Sequence, residues 1–499
     1  MTCSPGTTRN QQLASTRKRM GEHFIPNQLL GRTHTIGCVA VEITQKCNLD
    51  CTLCYLSEHS QAVRDIPIQE VFKRLDNVLK HYGPGTSVQI TGGDPTLRKR
   101  SELIDIVAYA NQLGLHTALF TNGIAATRDL LTELAEAGLN DVAFHVDTTQ
   151  ERKGYDDEHS LNAIREEYIE RAKGLGLMVI FNTTVHTDNF EELPMLVDFF
   201  VQNADAVSFA SFQLQAETGR GEWGARTDVV DPLTVKAAIE KTISKALPWE
   251  KVRIGHSDCH SYMPTLVADN QVYSVVDDSA LFAEFIEDFK HIQTTRQHGK
   301  AKIVRDYIQA LLLRPHWIWR LAKVTSAKLL EMRSSLVKSR GRVHKLSFFV
   351  QNFMDASALQ QDRIDACSFM VMTADGPVSM CKHNAERDEH ILKPLSYTNH
   401  RGQVKQYQPL GERYREDNVI PIRLLADDKP VHEPIIEASN ESNSESSKVL
   451  NQEPNQDVSQ ELSQELNQEL SHESVHGVNN DLGARPSSVP SNQKTLEIG

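Results

Sequence analysis

Between residues 39 and 214, apolar runs of strand length alternate with amphipathic stretches of helix length. Few architectures accept that order. Strand-like runs fall at 39–44, 87–91, 116–121, 141–147, 177–185 and 206–214. The stretches 68–81, 102–113, 129–137, 162–175 and 191–202 read as helices; in the first, Val71, Phe72, Leu75, Val78 and Leu79 share one face. Pro67 suits a helix's first turn and Gly138 a helix end. Repeated βα units imply a parallel sheet with helices outside. Six such units are too few for a closed eightfold barrel.

The loop after the first strand reads Gln45-Lys46-Cys47-Asn48-Leu49-Asp50-Cys51-Thr52-Leu53-Cys54-Tyr55. Three thiolates this close in sequence can converge on one metal centre. A [4Fe–4S] cube takes four ligands, so three cysteines leave one iron for an outside ligand. Structural zinc sites usually join two separate C-x2-C units, and the chain has no second one. Further polar residues gather where strands end: Gly92-Gly93-Asp94-Pro95, Asn122, His145, Asp147, Asn182, Thr184 and Arg220. Strand C-termini form the functional face of a parallel α/β fold, although each residue taken singly could be a turn or a helix cap.

The cysteine loop, followed one βα unit later by Gly92-Gly93-Asp94, resembles the radical S-adenosylmethionine (SAM) superfamily over about residues 39–220. The resemblance implies an α/β fold, a partial (β/α)6 barrel, with a [4Fe–4S] cluster on Cys47, Cys51 and Cys54 and SAM on the fourth iron. It implies Gly92, Gly93 and Asp94 around the SAM amino group. Asn122, His145, Asp147, Asn182, Thr184 and Arg220 are the further SAM contacts it suggests. The chemistry implied is one-electron cleavage of SAM to a 5′-deoxyadenosyl radical, which takes hydrogen from an unactivated C–H bond. A reducing partner of flavodoxin or ferredoxin type is implied with it. Two positions depart from the family pattern: Asp94 stands where Glu is commoner, and Leu53 where an aromatic is usual, with Tyr55 expected to cover the cluster instead.

Beyond the core, Cys259, Cys367 and Cys381 resemble the auxiliary-cluster ligands of many such proteins. Cys367 and Cys381 bracket a hairpin pattern turning at Asp375-Gly376. A second [4Fe–4S] cluster there would need a fourth ligand from Cys38, His383, His256, the substrate or an exogenous group. The alternative is three buried cysteines acting as small apolar residues. This layout faintly resembles the group of pterin methyltransferases and tetraether lipid synthases, which implies methylation or C–C coupling of a lipid or other amphiphile. Maturation of a peptide or protein is the rival within enzymes. An iron–sulfur electron-transfer or sensor protein without SAM turnover is the rival outside them.

The net charge of −13 is segregated. Residues 437–499 hold 11 acidic and 3 basic residues, whereas 296–345 hold 13 basic and 2 acidic. The chain divides into a flexible lead-in at 1–37, a core at 38–222, a mixed extension at 223–300, a basic amphipathic helical segment at 301–345, an α+β auxiliary-cysteine region at 346–435 and a tail at 436–499. Within 223–300, residues 233–247 and 278–289 read as helices and 251–254 as a strand. The tail repeats Ser-Gln-Glu-Leu-like tetrads, has no aromatic residue and reads as disordered. Cys3, in the lead-in, is expected to be unligated. Cations interleaved with Leu, Ile, Trp317 and Trp319 fit peripheral membrane or lipid contact, or a plain surface helix pair; nucleic acid is not the expected partner. No apolar run reaches membrane-spanning length, no secretory signal opens the chain and cysteine usage suits a reducing compartment. The expected location is the cytoplasm, with contact at the inner face of the membrane.

Overall fold

The computed structural model describes residues 8–220, 230–292 and 300–411. The tail at 436–499 and Cys3 lie outside the described residues. The chain opens with helix α1 (Arg9–Met20), then alternates β1 (Cys38–Thr44), α2 (Ile68–Tyr82), β2 (Ser87–Gly92), α3 (Arg100–Gln112), β3 (His116–Thr121), α4 (Arg128–Glu136), β4 (Asp141–His145), α5 (Asn162–Ala172), β5 (Met178–Val185), α6 (Leu193–Gln202) and β6 (Val207–Leu214). The extension adds α7 (Pro232–Thr242), β7 (His260–Ala268), β8 (Gln271–Ser274), α8 (Ser279–Phe289), α9 (Lys300–Leu313), α10 (His316–Lys338) and β9 (His344–Asn352). Then come α11 (Gln361–Asp365), the hairpin β10 (Phe369–Thr373) and β11 (Gly376–Ser379), α12 (Met380–Ala385) and α13 (Arg387–Ile391). A separate hairpin of β12 (Leu395–Thr398) and β13 (Val404–Tyr407) follows.

One sheet runs in the order β11-β10-β1-β2-β3-β4-β5-β6-β9-β7-β8. The α/β class and the six βα units are as the periodicity implies. The parallel array is nevertheless larger: β10 pairs parallel to β1, and β9 pairs parallel to β6, which makes eight parallel strands. The two added strands come from the extension, so no βα repeat announces them. The flanks of the sheet approach each other through side chains. Phe349 and Phe369 have ring centroids 6.0 Å apart, and His260 and Phe369 4.8 Å. All seven residues of β1 are buried, as a parallel strand covered on both faces requires. On α2, Val71, Leu75 and Val78 are fully buried, each contributing about 1.5–3 kcal/mol by burial.

Two local expectations are corrected. The lead-in is not all flexible: α1 docks through Leu13 and Met20, and Gln12 Nε2 donates to Lys80 O at 3.2 Å. The signal was present, since Thr8 and Gln11 form a capping box. Residues 251–254 are not a strand; a 3-10 turn at Trp249–Lys251 leaves only an isolated bridge between Gln28 and Arg253. The basic segment forms a helix pair, α9 and α10, in keeping with its helical reading, and β9 begins at His344.

Candidate active site

The cysteine loop is gripped from three strand ends. At β2, Gly93 N donates to Thr44 O at 3.0 Å and Asp94 N to Lys46 O at 2.7 Å. A Cβ on Gly92 would lie 1.8 Å from Thr44 O, and one on Gly93 2.1 Å from Lys46 O. Glycine is therefore required here for backbone to meet backbone. At β4, Thr52 N donates to Thr149 O at 2.9 Å. After β6, Arg220 N donates to Leu56 O at 2.7 Å, and its guanidinium reaches Leu49 O and Asp50 at 3.1 Å.

So held, Cys47, Cys51 and Cys54 line one cavity of about 230 Å³ together with Asn122, His145, Asn182 and Thr184. All three are free thiols and partly exposed. Burial, then repulsion from Asp147 and the neighbouring thiols, pushes Cys51 well above the ordinary thiol range; burial raises Cys47 as well. A bound metal ion would reverse these shifts, because ligation by a thiolate releases its proton. Thr218 Oγ1 and Arg220 Nε are buried polar atoms with no hydrogen-bond partner among the described residues. The loop therefore fits a cluster bound by three cysteines, with polar groups to spare beside it.

The strand-end residues divide into those that face the cavity and those that aim them. Gly93, Asn122, His145, Asn182 and Thr184 face it, Gly92, Asp94 and Asp147 stand behind, and Arg220 lies against the Cys54 thiol. Asp94 and Asp147 turn their carboxylates to neighbouring strand ends. The Asp94 carboxylate is fully buried and accepts from Thr96 N at 3.0 Å, Thr121 Oγ1 at 2.8 Å and Asn122 N at 2.8 Å. Two of these donors come from the end of β3, which places Asn122 Nδ2 2.6 Å from Asn48 Oδ1 and 3.8 Å from Cys47 Sγ. Asp147 takes Thr184 N at 2.7 Å and holds His145 Nε2 at 2.6 Å. Burial alone would lower the His145 pKa; the Asp147 carboxylate more than offsets it, and the net shift is upward. Behind them, the buried ion pair of Glu158 and Arg165 ties Thr148 N and Val146 O.

The third wall comes from the C-terminal elements. Phe353, Met354, Phe369, Val371 and Met380 make it apolar, with Cys381, Asn384 and Arg387 among them. Arg387 Nη1 donates to Glu42 Oε1 at 2.8 Å, Nη2 donates to Asn384 Oδ1 at 2.8 Å, and the guanidinium lies 4.7 Å over the Tyr55 ring. Tyr55 donates to Gly92 O at 2.6 Å, so it braces the loop from the side. Sequence reasoning missed Glu42 and Arg387. Glu42 sits in an otherwise apolar strand, and a buried charge there is the signal that could have found the pair.

The late cysteines are all buried. Cys381 is raised to about 12, by burial first and then by Cys367 and Cys259 close by; Cys259 is raised to about 11, by burial with Cys367 adding to it. Each sulfur has a polar contact: Arg363 Nε donates to Cys259 at 3.3 Å, Met354 N to Cys381 at 3.5 Å, and Cys367 donates to Phe369 O at 2.9 Å. Cys38 lies against Cys367, because β1 and β10 pair from Cys38 and Phe369 onward. His256 is committed elsewhere: its Nδ1 accepts from Asp258 N at 3.1 Å, which leaves the ring proton on Nε2, facing Asp362 at 3.2 Å. His383 stacks on His390 at 4.9 Å and approaches Glu42.

The family model of the radical SAM superfamily matches residues 41–200. This chain carries a radical SAM domain. The match runs from within β1 through most of α6, so it covers the cysteine loop and the ends of β2 to β5 but not β6 or Arg220. The chain is 30% identical over 190 residues to a 7,8-dihydro-6-hydroxymethylpterin dimethyltransferase of Methanocaldococcus jannaschii, covering 36% of each chain. It is 30% identical over 182 residues to a PqqA peptide cyclase of Bradyrhizobium diazoefficiens, covering 35% of this chain and 46% of that one. Among solved structures, methylornithine synthase aligns at 16% identity and a TM-score of 0.33, covering 48% of this chain and 69% of that chain. The chain spans between about a third and a half of the length of these curated relatives. One is named for a pterin and the other for a peptide, so the shared domain does not by itself select a substrate.

Proposed function

We propose that the chain is a radical SAM enzyme acting on an unactivated C–H bond of an amphiphilic substrate, lipid among the candidates, by methylation or C–C coupling. One observation carries the reading: Cys47, Cys51 and Cys54 open onto the same cavity as Asn122, His145, Asn182 and Thr184. When bound, a [4Fe–4S] cluster with SAM supplies one-electron cleavage of SAM and a 5′-deoxyadenosyl radical that takes hydrogen from the substrate. The residues do the positioning. His145, its pKa raised by the Asp147 carboxylate beside it, offers a ring N–H to a carboxylate or hydroxyl. Asn122, Asn182 and Thr184 supply neutral partners along the same wall. The apolar wall of Phe353, Met354, Phe369, Val371 and Met380 excludes water and takes an apolar substrate body. Arg387 has a buried Nε–H without a partner among the described residues, a donor for a polar group on that substrate.

Cys259, Cys367 and Cys381 are the ligands of a second [4Fe–4S] cluster in this reading, with Cys38, whose thiol senses Cys367, a candidate for the fourth. Donors aimed at Cys259 and Cys381 suit thiolates. The match to a peptide cyclase favours a second reading, maturation of a peptide in the same cavity. An anaerobic assay tests both against a protein without SAM turnover. Cluster-loaded, dithionite-reduced protein is expected to release 5′-deoxyadenosine from SAM, and Cys51→Ala to abolish it. A fully loaded cluster that releases none overturns the enzyme reading.

A further inference from the structure

We propose that the outward faces of α9 and α10 are a docking surface for an anionic lipid bilayer. On α9, Val304, Ile308 and Leu312 recur every four residues and are 56%, 52% and 70% exposed. On α10, Trp319, Leu330 and Val337 line the outward side at 81%, 63% and 79% exposure. That stripe runs about 27 Å along the helix. At the corner between the helices Leu313 is 80% exposed.

The opposite faces are already in use. Tyr307, Ala310, Leu311, Trp317 and Leu321 pack with Phe285 and Phe289 of α8, and Trp317 Nε1 donates to Asp288 Oδ2 at 2.7 Å. Trp317 and Trp319 thus part company. Two residues on a helix are 200° apart, so one ring fills the core and the other meets solvent. Each helix carries two apolar faces, of which one is covered. An exposed apolar face of this extent marks a surface built to meet a non-aqueous partner.

Charge decides which partner. The acids of the two helices are neutralised: Asp306 pairs with Lys302 and Arg305, and Glu331 with Lys245 and Lys328. Arg320 and Arg314 turn to Glu284 and Asp288 of α8. Lys323 and Arg333, on the outward side of α10, have no acidic partner among the described residues. Cations flanking an exposed Trp and aliphatic residues match lipid phosphates above acyl chains. The core of a protein interface, by contrast, is depleted of Lys. Among the described residues no helix is long and apolar enough to cross a membrane, so the contact is with one leaflet.

The test is flotation of the full, cluster-loaded chain with vesicles of phosphatidylcholine alone or mixed equally with phosphatidylglycerol. The wild type is expected to float with the anionic vesicles at low salt and less at high salt. Combined Leu312→Ser, Leu313→Ser and Trp319→Ser should weaken partitioning on the order of tenfold or more, with an unchanged melting temperature. Lys323→Glu with Arg333→Glu should remove the preference for anionic over neutral vesicles. Wild type left at the bottom of the gradient overturns the proposal. So does flotation that survives the triple substitution. A wild-type dimer in sedimentation that the triple variant breaks, without vesicle binding, assigns the face to a second copy instead. None of these readouts depends on SAM turnover.

Discussion

Glu42 Oε1 and Arg387 Nη1 lie 2.8 Å apart, joining residues 345 positions distant in the chain. Glu42 is on β1 and Arg387 opens α13, so the pair locks the C-terminal elements onto the first strand. Burial pushes the Glu42 carboxyl up, but the Arg387 guanidinium more than reverses that and holds it at about 2. Glu42→Gln should cost about 3–5 kcal/mol, because a buried guanidinium loses its counter-charge. The sign with pH follows from the lowered value. The pair's contribution is full above the ordinary carboxyl value of 4.5 and is lost as pH falls toward 2. Urea midpoints should therefore drop more steeply for wild type than for Glu42→Gln across that range.

Gly93→Ala should empty the cluster site while leaving the fold. Its Cβ would sit 2.1 Å from Lys46 O, a backbone atom that cannot turn aside without moving Cys47. Iron content and visible absorbance should fall by most of their value, with far-ultraviolet circular dichroism unchanged. Full iron loading of this variant would show that the loop has slack the geometry denies.

Asp147→Asn should act through His145. Without the carboxylate at 2.6 Å, burial dominates and the imidazole pKa falls below its ordinary value. If protonated His145 helps hold SAM, the alkaline limb of 5′-deoxyadenosine release against pH moves to lower pH. KM for SAM should rise more than kcat falls at neutral pH. An unshifted limb would assign Asp147 a structural part only.

Iron stoichiometry separates one cluster from two. Wild type is expected to bind about eight irons per chain, and Cys367→Ser or Cys381→Ser about four, with Cys51→Ala also near four. A value near four in wild type, unchanged by Cys367→Ser, rejects the second cluster.

Much of the site was legible in the sequence because it is local. The C-x3-C-x2-C loop and the residues at successive strand ends sit in order along the chain, and strand periodicity says which ends share a face. The direction of each side chain was not legible. Asp94 and Asp147 carry the right chemistry but spend it on backbone and hydroxyl donors of adjacent strands, a matter of register between β2, β3, β4 and β5. Likewise α1 had its capping box in plain view, yet only the groove beside α2 shows what it packs on.

The sequence by itself determined the α/β class, the cysteine loop and the segregation of charge, each set by residues near one another. Tertiary structure decided the rest. It brought β10 beside β1 and β9 beside β6, gathered Cys259, Cys367 and Cys381, joined Glu42 to Arg387 and sent Trp317 inward and Trp319 outward. These are pairings across long loops or choices between two faces of one helix. Burial and complementary partners settle such choices, and neither is written at the position of the residue concerned.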